Sequence, residues 1–198
     1  MIYYAIAFII GIIIMIIVIT LLLRCRDSKN LVKVKSNLDG KRYFVQDYAD
    51  KQQAANMLAE IQRRITTLRN YLSVHRNSYP EFIPYIDQFL RNSGHLELLE
   101  NSPGKKHTSY TINKGQAMIL CLRSADNYQL HAINLVMYVV IHELSHVACP
   151  EVNHTPLFKK IFVFLLKISE KLGLYQYTAY NLHPEEYCGI IIDENLLR

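Results

Sequence analysis

An isoleucine-dominated run, Ile2–Leu23, opens the chain, carries no charged residue, and has no counterpart further on. A helix needs about 20 apolar residues to cross a bilayer, so this run predicts a membrane-spanning helix. Tyr3 and Tyr4 suit one interface, and Arg24 and Arg26 the other. A cleaved signal peptide would want positive charge before a shorter run and a small-residue site after it, and the chain has neither. Residues 24–45 then read as a polar, basic juxtamembrane linker with a turn at Asp39-Gly40. Beyond it the pattern becomes periodic. Ala54, Met57, Leu58, Ile61, Ile65, Leu68 and Leu72 recur at helical steps, predicting one amphipathic helix from Asp47 or Asp50 to about Val74. Phe82, Ile86, Phe89 and Leu90 predict a short second helix after Pro80, closed by Asn92-Ser93-Gly94, and Leu96–Glu100 reads as a further turn.

The period then changes. Thr108–Asn113 and Gln116–Leu122 read as two strands joined at Lys114-Gly115, the second strongly apolar. A peptide could extend such a sheet by backbone pairing, or the strand could sit buried between neighbours. Ser124, Asp126 or Asn127 can start the next helix, whose stripe of Leu130, Ile133, Met137, Ile141 and Leu144 leads to His146. Pro150 stops it. Thr155 reads as the N-cap and Pro156 as the first residue of a helix that ends before Gly173. The remaining residues are tyrosine-rich and show no helical period.

Composition changes this picture in two places. Hydrophobic content is 51%, raised by the opening run, and the remainder is ordinary for a soluble domain. Net charge is +5, and seven of the basic residues fall between Arg24 and Arg42. Placed after the apolar run, they orient the following domain toward the cytosol by the positive-inside rule, and they could touch anionic headgroups. Arg63, Arg64 and Arg69 read as a solvated helix face, so nucleic-acid binding is not expected. Cys25, Cys121, Cys149 and Cys188 lack paired spacing and read as reduced thiols, with three pairings open to them.

The candidate chemistry lies in V-V-I-H-E-L-S-H-V, Val139–Val147, an H-E-x-x-H pattern. Residues four apart share a helix face, so His142 and His146 can reach one metal ion. Glu143 is rotated by about 100° from His142 and suits a base that holds water beside that metal. Burying these groups among valines and leucines is costly unless they have partners. His154, at the entrance to the next helix, would complete three ligands and leave one position open, as catalytic zinc requires. Glu170, and Glu185 or Glu186, are alternative third ligands. Tyr187, with His183 behind it, is the candidate for stabilising an oxyanion.

H-E-L-S-H followed by N-H-T-P-L-F resembles the compact zincin-like peptidases of the WLM and SprT-like kind, across roughly residues 105–175. Tyr187-Cys188-Gly189 is similar to an element in metallopeptidases of large DNA viruses. The resemblance implies zinc ligands at His142, His146 and His154, a catalytic acid/base at Glu143, and a packing aromatic at Phe158. The eight-residue step from His146 to His154 and the apolar opening run depart from that group. The expectation is an α+β, zincin-like minimal metallopeptidase domain over 46–198, with a small sheet packed on the H-E-x-x-H helix. Residues 46–100 would form its helical part and 105–198 its metal-binding core, with a transmembrane helix at 1–23. A membrane-anchored zinc (Zn2+) peptidase acting on protein or peptide substrates is the functional expectation. A tethered scaffold with a purely structural zinc is the alternative from a different class.

Overall fold

The computed structural model describes residues 31–105 and 107–194. The apolar run at 2–23 and Cys25 lie outside the described residues, among which no helix is long and apolar enough to cross a membrane. The architecture is mixed α+β. β1 (Leu31–Lys35), β2 (Arg42–Gln46), β3 (Glu97–Asn101), β4 (Tyr110–Ile112) and β5 (Ala117–Cys121) form one sheet in the order β1-β2-β3-β5-β4. β1 and β2 are antiparallel, β2–β3 and β3–β5 parallel, and β4–β5 antiparallel. The helices are α1 (Lys51–His75), α2 (Ile83–Asn92), α3 (Ile133–Ala148) and α4 (Pro156–Lys171). A separate hairpin, β6 (Glu185–Tyr187) and β7 (Ile190–Ile192), follows them.

Strand alternation divides the sheet into two faces. Tyr43, Val45, Leu98, Met118 and Leu120 are buried toward the helices. On the other face a register row runs Lys33, Phe44, Leu99, Ile119 and Tyr110 across all five strands. α1 packs on β1, β2 and β3, while α3 sits between α2 and α4 and touches β4. That central place explains α3's composition. Leu135, Val136, Met137, Val140, Ile141, Leu144 and Val147 cover most of its circumference, and all are buried. A helix that is hydrophobic nearly all round belongs inside.

Three expectations need correction. The stretch read as a linker over 24–45 contributes β1 and β2 from residue 31 onward, because L-V-K-V-K and R-Y-F-V-Q alternate and their lysines stand on one side. Leu96–Glu100 is not a helical turn; it lies largely within β3, held between β2 and β5. The metal-bearing helix begins at Ile133, not at Ser124–Asn127. Residues before it form a reversal in which Tyr128 takes a positive φ of 61°, Ser124 N–H donates to Gln129 O, and His131 N–H donates to Leu122 O. The β4–β5 turn falls where Lys114-Gly115 put it. Gly115 has a φ of 130°, and a Cβ there would stand 2.3 Å from the Asn92 carbonyl oxygen, so only glycine fits.

The cysteines also differ from expectation. Cys121 and Cys188, 67 residues apart, form a disulfide, whereas Cys149 is free and buried. β5 places one sulfur and the β6–β7 turn the other, a proximity that only the folded chain creates.

Candidate metal centre

α3 presents His142 and His146 one turn apart, on the side facing α4. Its C-terminal carbonyls are taken up by neighbours: Gln88 Nε2 and Asn92 Nδ2 donate to Val147 O at 3.2 and 3.4 Å. Lys114 Nζ donates to the carbonyls of Cys149 and Pro150, both at 2.8 Å, and of Glu151 at 3.4 Å. One ammonium thus clamps three consecutive carbonyls of the loop leading to His154, where a positive charge also suits a helix C-terminus. Asn153 takes a positive φ of 68°, a conformation Asn tolerates better than most residues. Thr155 then caps α4 by accepting from Phe158 N–H. Turn, cap and clamp together aim the exposed His154 back at the helix.

His154 Nε2 lies 2.9 Å from His142 Nε2 and 3.2 Å from His146 Nε2. All three ligand nitrogens fall within 4.8 Å of one another. Tetrahedral zinc with bonds of 2.0–2.1 Å sets its nitrogens about 3.3 Å apart, a spacing that the two His154 distances approach. Burial, then the neighbouring imidazoles, lowers the His142 pKa to about 3. Burial first, then His154 and Lys114, lowers that of His146 to about 4. These two rings are neutral at physiological pH and offer lone pairs. Phe158, buried under the cluster, stacks on His146 at 4.2 Å with ring planes 28° apart, while Phe162 meets His142 edge-on.

Glu143 is buried beside the triad, and its Oε2 accepts from Thr111 Oγ1 on β4 at 3.0 Å. Burial raises its pKa to about 7, against the lowering effect of the Thr111 hydrogen bonds. A nearby cation would favour its charged form.

Tyr187 is fully buried and lines the same cavity as His142, Glu143 and His154. Its hydroxyl donates to Cys121 O at 2.7 Å and lies 2.7 Å from Ser109 Oγ, which itself accepts from Cys121 N–H. Its proton is therefore engaged by a main-chain carbonyl. His183 is exposed and does not line the cavity, and Glu170 is exposed in a separate depression with Arg64 and Tyr175. Glu186 Oε1 accepts from Gly189 N–H at 2.6 Å and Ala125 N–H at 3.3 Å, and neither it nor Glu185 joins the triad. β5 is paired on both sides, so it has no edge for a peptide; the free edge nearest the triad belongs to β4. Sequence reasoning did not single out Thr111, Tyr138 or Lys114. Thr111 and Lys114 reach α3 and the loop after it from β4 and its turn and leave no local signal, and Tyr138 reads as one more apolar position on a core helix. Arg63 and Arg64 pair with Glu60, and Arg69 bonds Ser93 and Leu90 O.

The fold and site define an α+β domain built on an H-E-x-x-H helix, with three histidines converging beside a buried glutamate. No family model matches the chain. It is 47% identical over 189 residues to an uncharacterised protein of Acanthamoeba polyphaga mimivirus, covering 96% of each chain. The chain belongs to the family of that viral protein. It is also 39% identical over 72 residues to an uncharacterised protein of Invertebrate iridescent virus 6, or 35% of this chain and 40% of that one. Among solved structures it is similar to Wss1 from Saccharomyces cerevisiae, with a TM-score of 0.45 and 20% identity over 65% of this chain and 89% of that one. It is similar too to a Wss1 mutant from S. pombe, with a TM-score of 0.40 and 23% identity over 63% and 91%.

Proposed function

We propose that this chain is a zinc-dependent peptidase. One observation carries the reading: the three Nε2 atoms converge with the buried Glu143 carboxylate beside them, and His142, Glu143 and His154 line one cavity of about 450 Å³. His142, His146 and His154 would hold the zinc. When bound, zinc supplies Lewis acidity, lowering the pKa of water toward 7 and polarising a carbonyl. Glu143 takes the proton from the attacking water and passes it to the leaving amine. Thr111 keeps that carboxylate turned toward the cavity, and Phe158 fixes the plane of His146. Lys114, by holding the 149–151 carbonyls, fixes where His154 enters.

His154→Ala should lose at least tenfold in zinc affinity, measured by competition with a chelating dye, whereas Glu170→Ala should bind as the wild type does. Full affinity in His154→Ala, with loss in a glutamate variant, would reassign the third ligand.

The apolar run at 2–23 supports a membrane anchor, and the basic residues after it support a cytosolic domain. The Cys121–Cys188 disulfide pulls the other way, since such bonds persist in oxidising compartments. Protease treatment of sealed vesicles should digest residues 31–194 from the cytosolic side. A fully protected domain would reverse the topology, and a chain recovered in the soluble fraction would remove the anchor.

A further inference from the structure

The cavity does not end at the histidines. Away from the triad it continues as a slot between two walls. α3 and α4 supply Tyr138, Val139 and Phe162 on one side, and β7 supplies Ile190, Ile191 and Ile192 on the other. Ile190 and Ile191 are 50% and 61% exposed. Two neighbouring exposed isoleucines on a three-residue strand are costly to leave in water, and here they border the candidate chemistry. Rim charges are of both signs, Lys159 against Asp193 and Glu194, so charge does not select the occupant.

The hairpin that carries these isoleucines is fixed to the domain. Its two-residue turn, Cys188-Gly189, has φ values of 56° and 91°, the positive pair that a type I′ hairpin requires. Cys188 is bonded to Cys121 on β5, the Tyr187 hydroxyl reaches Cys121 O, and the Glu186 carboxylate accepts from Gly189 N–H. His131 stacks on Tyr187 with ring centroids 5.2 Å apart. The result is a wall with its apolar residues left uncovered, not a loose tail.

We propose that the β6–β7 hairpin is the specificity wall of this site, and that the slot takes one large apolar side chain, such as leucine or phenylalanine, from a residue flanking the scissile bond. This rests on the peptidase reading. The occupant is the substrate because the slot is continuous with His142, Glu143 and His154 in a single cavity.

The test uses the zinc-loaded protein. Cleavage sites in a random peptide mixture are read by mass spectrometry for the wild type and for Ile190→Thr/Ile191→Thr. This double variant keeps β-branching and alters exposed positions, so folding should survive. In parallel, binding of a labelled peptide with leucine or serine at the selected position is measured on Glu143→Gln, which leaves the peptide intact. Leucine should bind about tenfold or more tighter than serine, as burying one apolar side chain predicts. The difference should shrink to under about threefold once the isoleucines are replaced. A chain ending at Glu194 should keep the preference, because the proposal makes the peptide substrate the occupant. Loss of preference in that shortened chain would overturn the proposal. Cleavage without apolar preference, or a preference unchanged in the isoleucine variant, would overturn the wall and leave the peptidase reading standing. Apolar-dependent binding without any cleavage would overturn the peptidase reading and leave the wall. Binding of neither peptide would overturn both.

Discussion

Glu143→Gln is expected to retain zinc and the fold while losing peptidase activity by about 10²–10⁴-fold, the usual contribution of a positioned acid/base group. The substitution keeps the shape of the side chain and its contact with Thr111 but removes the proton acceptor. Folding should be unharmed. Glu143 is buried, and burial already disfavours its charged form, so a neutral amide is no harder to accommodate. Rates are compared on one peptide under zinc-replete conditions, with metal content measured on the same samples. Equal rates would show that Glu143 is not the base. Loss of zinc together with activity would show that it belongs to the metal site instead.

Arg123→Met should have the largest effect on stability, about 3–5 kcal/mol at pH 7. Arg123 is 1% exposed and binds Glu100 Oε1 at 2.7 Å, Asp50 Oδ2 at 2.8 Å and Tyr128 O at 3.0 Å, with Tyr48 stacked on its guanidinium. Asp50 precedes α1 but does not cap it, because its carboxylate is turned to Arg123. The Glu100 side chain is fully buried and would be left with one partner, the Gln46 N–H. Burial already raises the Glu100 pKa, and Arg123 is among the groups that restrain it. Without that restraint the folded-state pKa rises further above the unfolded one. The contribution of a raised group is fully present below the unfolded pKa and is lost as pH rises through the folded one. Urea denaturation should therefore find the variant's deficit larger at pH 7 than at pH 5. Adding Glu100→Leu should recover part of the loss, since a fully apolar pair leaves no unpaired charge. A deficit under about 1 kcal/mol, or one independent of pH, would mean that the cluster does not hold the sheet to α1 as the structure implies.

Much of this fold can be read from periodicity. α1, α2, α4 and the β4–β5 hairpin stand within a few residues of where the sequence puts them, because each has one covered face and a clear stop. The features that were not legible depend on distant neighbours. Lys33 and Lys35 make β1 resemble a polar linker, and only the pairing with β2 turns their alternation into a strand. E-L-L-E in β3 fits a helical turn as well as a strand, and its parallel neighbours decide between them. The disulfide joins residues 67 apart with no spacing rule to announce it. The site shows the same division. His142, Glu143 and His146 follow from one helical turn, and His154 from its place before a cap. The fate of the Tyr187 proton depends on Cys121 O, a main-chain atom on another strand.

The central claim is that three histidines hold a zinc ion with one position left open. X-ray absorption at the zinc edge on the purified domain tests it most directly. One zinc per chain is expected, with three imidazole nitrogens at about 2.0–2.1 Å and one oxygen ligand exchangeable with solvent. A closed shell of four protein ligands, or a chain that binds no zinc when all three histidines are intact, would contradict it.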